Sequence, residues 1–229
     1  MDRAHALAAE GAPAGTLVLA DQQTGGRGRG GNRWASEPDA GVWMTLIERP
    51  MDGGVVGVLA LRLGMALAHA LAPLTDDTLR LKWPNDLLAL RHENGRTIVG
   101  KLAGILVEAR WREAAPDWVA IGIGINLRVP QALPDAAALR PGTTRTDVLS
   151  ALFPAVRRAA AATAMLSDAE CAAWQAQDYA RGRSVRAPVA GVVQGIAADG
   201  ALLVAPHDGG PVTRVLAGSL VFDPDHQEA

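Results

Sequence analysis

The chain has 229 residues, 49% of them hydrophobic, a formal net charge of −2 and a pI near 6.2. The apolar share is that of a globular protein with a real core. The balanced, slightly acidic charge excludes a protein whose main task is coating nucleic acid. With a single cysteine, Cys171, no internal disulfide can form, which points to a cytoplasmic home.

Asp2 to Ala9 reads as a short helix stopped by Gly11-Ala12-Pro13. Its charged residues exclude a signal peptide. The fifteen residues before the first strand leave no room for a helix-turn-helix. Thr16 to Ala20 is a buried-type strand, and a loop rich in glycine and arginine follows it. Val42 to Glu48 is a second strand. Val55 to Leu71 repeats its apolar residues at helical spacing. No stretch approaches the roughly 20 apolar residues that span a bilayer, so no membrane partner is expected.

Thr78 to Trp83 alternates as a half-buried strand, Pro84-Asn85-Asp86 interrupts it, and Leu87 to Leu90 resumes. Asn94-Gly95 favours positive φ and predicts a hairpin turn. Ile98 to Ala109 and Trp118 to Leu127 complete an antiparallel meander. Val129 to Pro141 is a connection, Asp147 to Ala164 a helix, and Ser167 to Glu170 a capping box opening the next helix. That helix carries Cys171, read as a small buried thiol because no histidine lies nearby in sequence. From Arg183 to Phe222 short strands alternate with turns, a tail of about fifty residues that resembles a small β-barrel leaning on its neighbour. The expected class is α+β: a largely antiparallel sheet with helices packed on one side, spanning residues 1–180, then a small all-β unit spanning 181–229.

Four places carry candidate chemistry. Gln23 to Trp34 reads QTGGRGRGGNRW, with five glycines and three arginines in twelve residues. It matches G-x-G-x-x-G at Gly26, Gly28 and Gly31. A dinucleotide site then needs a crossover helix, at least about ten to twelve residues including its connections, and Asn32 to Gly41 is polar, short and broken by Pro38. Arg27 and Arg29 alternate with glycine. In an extended loop they project to one side, and such a loop can fold over an anion. Lys82-Trp83-Pro84-Asn85-Asp86 gathers a lysine, an asparagine and an aspartate at a strand end, which an ordinary turn also explains.

Lys101 lies in the apolar strand IVGKLAGILVEA. On strict alternation it shares a face with Val99, Ala103 and Ile105, so it either reaches a charged ligand or guards an edge strand. Gly122 and Gly124 form a bare strand face opposite Ile121, Ile123 and Ile125, a floor for a flat apolar ligand or for close helix packing. Asn126 ends that face. There is no Walker loop, since Gly100-Lys101 is followed by Leu102.

These four blocks, in this order, resemble the bacterial biotin protein ligases. The resemblance continues through Trp174-Gln175-Ala176-Gln177-Asp178, Gly182-Arg183-Ser184-Val185 and Asp199 to Val204, nearly the whole chain. It implies a catalytic domain like that of class II aminoacyl-tRNA synthetases with a C-terminal SH3-like barrel, in a form without an N-terminal DNA-binding domain. It also implies that biotin and Mg-ATP form biotinyl-5′-adenylate and pyrophosphate. Biotin then passes to one lysine of the biotin carboxyl carrier protein of acetyl-CoA carboxylase.

The resemblance implies roles for particular residues. Lys101, Arg27 and Arg29 offset the charge of two reacting anions, and Asp86 organises magnesium or the incoming amine. Gln23, Gly26, Arg27, Gly28, Arg29, Lys101, Gly104, Leu106, Gly122 and Gly124 belong to the biotin side. Trp34, Lys82, Asn85 and Asn126 belong to the nucleotide side. No covalent intermediate and no tightly bound prosthetic group are implied. No nucleic-acid partner is expected, and the protein is a monomer or a homodimer.

The chain departs from the family pattern in three places. Met1-Asp2 stands where a Ser-Thr-Asn or Ser-Thr-Met triplet would end. Gly30 stands where some members carry a further arginine, and Ala217-Gly218-Ser219-Leu220 where a Gly-Glu pair is commoner. The alternatives are a lipoate or octanoate ligase or transferase of the same fold and a non-catalytic biotin-binding regulator.

Overall fold

The computed structural model describes residues 1–49, 52–133 and 135–224. Six antiparallel strands form the main sheet: β1 (Leu17–Ala20), β2 (Gly41–Glu48), β3 (Thr78–Lys82), β4 (Asp86–Glu93), β5 (Arg96–Arg112) and β6 (Ala115–Asn126), in the order β1-β2-β6-β5-β4-β3. The meander from β3 to β6 follows the alternation in the sequence. Asn94 and Gly95, at φ 51° and 74°, make the β4–β5 turn. β1 pairs directly with β2 in antiparallel fashion, Leu17 opposite Leu46, so no crossover helix follows the glycine loop.

Helix α2 (Val56–Leu71) and helix α3 (Arg145–Ala160) cover one face of this sheet. There Val42, Met44, Leu46, Ile121, Ile123 and Ile125 meet Leu63, Leu67, Val148 and Leu152 in one core. Each such side chain contributes about 1.5–3 kcal/mol on burial. Helix α1 (Asp2–Ala9) lies on the opposite face, where Ala4 and Ala8 pack on Ile47. The helices are therefore not all on one side, as the sequence pattern suggested. The reason is parity: Ile47 points away from Leu46, and α1 is short enough to cover that end alone.

Within the 22-residue run Gly53–Leu74 an 18-residue window averages 1.9 in hydropathy, so one stretch does reach membrane-spanning length and composition, contrary to expectation. Its apolar surface is spent on the sheet and on α3, and it carries Arg62, itself 6% exposed, in an ion pair with Glu170 of helix α4 (Asp168–Gln177).

Five short strands follow: β7 (Ser184–Ala187), β8 (Gly191–Ile196), β9 (Leu202–Ala205), β10 (Thr213–Val215) and β11 (Val221–Phe222). They form a second antiparallel sheet in the order β10-β9-β8-β7-β11, and among the described residues its two outer strands do not pair to close a barrel. The sheet leans on the first through Trp83, whose buried indole donates to the Gly200 carbonyl at 3.1 Å.

Candidate active site

A cavity of about 470 Å³ opens on the face of the main sheet away from α2. Its floor is set by register. Ala20, Trp43, Gly124, Gly104 and Asp86 lie opposite one another across five strands, and Val18, Thr45, Gly122 and Leu106 form the adjoining row. Directly opposed residues share a face. Two glycines in the first row and one in the second therefore leave the centre of the floor bare, while Ile121, Ile123 and Ile125 are buried beneath it.

Strict alternation would hide Lys101 in the core with Ala103 and Ile105, and here the structure corrects the sequence reading. Leu87 faces Ala103 but Leu88 faces Lys101, so β5 carries one extra residue, Leu102. Leu102 and Ala103 are both fully buried. This β-bulge re-aims the next side chain. Lys101 thus joins the cavity face, where a β-carbon added at Gly104 would come within 3.2 Å of its Nζ. Its ammonium lies 2.5 Å from Asp86 Oδ1, an oxygen shielded from solvent that receives no aligned hydrogen bond.

The flat group on the glycine floor is the protein's own. A β-carbon at Gly124 would come within 2.6 Å of the Trp34 ring, and one at Gly104 within 2.8 Å. The Lys101 ammonium stands 5.1 Å from the centroid of that ring. Trp34 Nε1 is buried without a hydrogen-bond partner, an unspent donor at the floor of the cavity. A β-carbon at Gly122 would likewise meet Met1 Sδ at 2.8 Å.

The arginine loop is stapled to itself. Arg27 bridges to Arg33, the Gly28 N–H donates to the Asn32 carbonyl at 2.7 Å, and the Trp34 N–H donates to Gly26 at 3.0 Å. Gly30 and Gly31 turn the tip at φ 62° and 81°, values that favour glycine. The two arginines diverge. Arg27 pairs with Asp2 at 2.7 Å and Glu108 at 3.5 Å, whereas Arg29 donates to the Gly218 carbonyl at 3.2 Å. Both line the cavity, as do Gln23, Gly28, Asn85 and Leu106.

Three of the residues expected at the site do not line the cavity. Asn126 is 5% exposed and spends its amide on the carbonyls of Lys101 and Ala137. Lys82 stands over the Phe222 ring at 5.5 Å, where burial holds its pKa below the usual lysine range against the pull of Asp86. Gly26 sits under the loop's root, where a β-carbon would strike the Trp34 carbonyl. Conversely, Arg3, Arg33, Thr45 and Ser219 line the cavity without having been singled out. Arg3 and Ser219 reach it only through tertiary packing, which no local pattern reveals. With Arg3, Arg27, Arg29, Arg33 and Lys101 against Asp2 and Asp86, the lining is cationic and suited to a polyanion.

Residues 4–126, more than half of the chain, match the model of the biotin/lipoate A/B protein ligase family. The chain belongs to that family. Within it, the bifunctional ligase/repressor BirA of Bacillus subtilis is 41% identical over 134 residues, 58% of this chain and 39% of that protein. The biotin–[acetyl-CoA-carboxylase] ligase of Paracoccus denitrificans is 40% identical over 141 residues, 59% of this chain and 53% of that one. The chain thus spans only about half of these curated relatives, or less. The fold matches that of Aquifex aeolicus biotin protein ligase in complex with biotin and ATP, with a TM-score of 0.71 at 24% identity over 96% of this chain and 93% of that one. The cavity of this family member is built almost wholly from the matched segment, with Met1, Asp2, Arg3 and Ser219 added from outside it.

Proposed function

We propose that the protein is a biotin protein ligase. The observation that carries the reading is the bulge at Leu102, which sets Lys101 beside Asp86 and the Trp34 ring on a glycine floor beneath an arginine loop. A carboxylate meeting a triphosphate brings two anions together, and this arrangement supplies fixed cations where charge accumulates.

In the first step an oxygen of the biotin carboxylate attacks the α-phosphorus of ATP. The bond to the β-phosphate breaks, and pyrophosphate leaves with the electron pair. Lys101 offsets charge on the carboxyl and α-phosphate oxygens, and Arg27 and Arg29 hold the loop over the acyl-adenylate and keep water from it. Gln23, Gly104, Leu106, Gly122 and Gly124 shape the biotin side, and Trp34 and Asn85 the nucleotide side. In the second step the neutral amine of a lysine on a biotin carboxyl carrier protein attacks the acyl carbon, AMP leaves with the electron pair of the broken C–O bond, and the nitrogen gives up its proton to solvent.

Magnesium enters with ATP as part of the co-substrate. Among the described residues no three His, Cys, Asp or Glu side chains gather to hold a metal alone. An ion carried by a triphosphate needs about one carboxylate, and Asp86 offers its second oxygen while Lys101 holds the first. The same carboxylate is placed to orient the incoming amine. The C-terminal sheet is read as the SH3-like module of such ligases, the boundary falling near residue 180, and the enzyme as cytoplasmic.

The test is exchange of labelled pyrophosphate into ATP by the purified protein. Exchange that depends on biotin supports the reading. Exchange driven by lipoate or octanoate, and not by biotin, assigns the chain to the other branch of its family.

A further inference from the structure

Beyond the cavity row of Gly122 and Leu106, the next row on the same face of the sheet is Ile47, Ala120 and Glu108, and Trp118 stands one pair further on. Helix α1 packs on Ile47 and Trp118 and brings His5 between Trp118 and Glu108. The Trp118 Nε1–H donates to His5 Nδ1 at 3.0 Å, and His5 Nε2 lies 2.8 Å from Glu108 Oε2. An indole N–H can only donate, so His5 Nδ1 accepts, and the proton of the neutral ring is on Nε2. That N–H therefore donates to Glu108. From the tryptophan outward, the direction of each bond is fixed.

Glu108 meets the arginine loop with the same oxygen. Arg27 Nη2 lies 3.5 Å from Glu108 Oε2 and 2.7 Å from Asp2 Oδ1. The Asp2 contact is the shorter, but that side chain is 86% exposed and has no other partner among the described residues, whereas Glu108 is held by His5. A solvent-screened pair fixes little, so Glu108 is the firmer anchor. Both carboxylates engage one nitrogen. Arg27 Nη1 and Nε have no partner among the described residues, and Arg27 lines the cavity. A guanidinium is a rigid planar fork, so fixing one end orients the other donors. We propose that Glu108 is a positioning residue for Arg27: the Trp118–His5–Glu108 relay holds the guanidinium by its Nη2 end and leaves the Nη1 and Nε edge for an oxyanion of the ligand. On the biotin-ligase reading, on which this rests, that oxyanion belongs to the carboxylate or the α-phosphate joined in the first step. Field and position make opposite demands at Glu108. Its negative charge opposes anion binding in a cationic cavity, so a carboxylate there helps only by placing Arg27.

Wild type, Glu108→Gln, Arg27→Ala and the double variant separate these roles. Glu108→Gln keeps an acceptor for His5 and removes the ion pair. It is expected to lower turnover in biotin-dependent pyrophosphate exchange about tenfold, with KM for ATP raised no more than about twofold. The double variant is expected to be no slower than Arg27→Ala alone, because a residue that acts through Arg27 then has nothing left to position. Trp118→Phe keeps an aromatic ring under α1 and removes the first donor; it is expected to lose about threefold, and only while Arg27 is present. A second measurement needs no substrate. Trypsin takes an arginine side chain into its own acidic pocket before it cuts, so cleavage of Arg27–Gly28 relative to Arg33–Trp34 reads release of Arg27 from Glu108. That ratio is expected to rise about fivefold in Glu108→Gln, whereas general loosening of the loop would speed both cuts. Wild-type turnover in Glu108→Gln, losses that multiply in the double variant, or an unchanged cleavage ratio each overturn the assignment of Glu108. A wild type without biotin-dependent exchange overturns the biotin-ligase reading instead, and the cleavage ratio then still decides whether Glu108 holds Arg27.

Discussion

At the scale of the residue, the neighbours of Lys101 fix where its charge sits, and the proposed reaction turns on that charge. Asp86 lies 2.5 Å from the ammonium and the Trp34 ring faces it at 5.1 Å, so the charge is positioned before any substrate arrives. Interactions that strengthen as charge builds lower the barrier, whereas uniform binding does not. Lys101→Ala is therefore expected to cut biotin-dependent pyrophosphate exchange by about 10²–10³-fold, with biotin affinity changed by no more than about threefold. Equal losses in affinity and turnover would assign Lys101 to ground-state binding instead. The residue types were legible in the sequence: a lysine in an apolar strand, glycines two apart, an aspartate after a strand-end proline. The direction of Lys101 was not, because a bulge is a tertiary choice of pairing. Nor was the occupant of the glycine floor, since Trp34 is ten residues from Thr24 along the chain but meets Gly124 only once β2 and β6 have paired.

Elements are joined by a few charged contacts whose partners lie far apart in sequence. Helix α4 opens on the capping box read from Ser167 and Glu170. The Glu170 carboxylate does a second job there, accepting from Arg62 Nε at 2.6 Å, so that a buried guanidinium of α2 is neutralised by the first turn of α4. The Arg62 hydrogen bonds, with those from Ser167, hold Glu170 down at about 2. Its contribution to stability is thus present above pH 4.5, its ordinary value, and is lost as the pH falls through about 2. Glu170→Gln is expected to cost about 3 kcal/mol in denaturant unfolding at pH 7, because it strands Arg62 in the core, and to flatten the acid limb of the stability profile. A loss below about 0.5 kcal/mol would mean that the pair is solvated and weak. Helix α3 begins at Arg145, two residues before the start read from the sequence, because Thr144 caps it and the Asp147 carboxylate accepts from the Thr144 N–H at 2.9 Å. That second capping box was present in the sequence but hidden in a run of threonine and arginine with no apolar onset.

Across the whole molecule, the two sheets meet along a seam that also borders the site. Trp83 crosses it to Gly200, Lys82 and Tyr179 pack on Phe222, and Arg29 of the loop reaches the Gly218 carbonyl. Asp178 enters this seam from the end of α4, bridging to Leu81 in parallel register. Its Oδ1 accepts the Ala180 N–H at 2.9 Å and its Oδ2 is buried without a partner. Burial pushes this carboxyl up to about 6. A raised value means that the folded state holds its proton longer than the unfolded chain, so stability falls as pH rises from 3.8 through about 6. Asp178→Asn keeps the acceptor and removes the charge. It is expected to raise stability by about 1 kcal/mol at pH 8 and to give no gain at pH 4, read from urea unfolding at both values. A gain of equal size at both values would point to packing. The sequence showed the change of texture near residue 180, but not that the second sheet would stay open among the described residues, since closure depends on whether β10 and β11 meet.

The bulge at Leu102 has a further consequence. What distinguishes a cavity cation from a misplaced core lysine is a count, one more residue on β5 than on β4 between two paired positions. Every side chain around Lys101 can keep its identity and the lysine would still leave the cavity if Leu102 gained a partner of its own. One residue added to β4 between Leu87 and Leu88 would restore strict alternation and return Lys101 to the buried side of the sheet. The cavity is therefore exposed to insertions in the facing strand in a way that no inventory of its lining side chains would disclose.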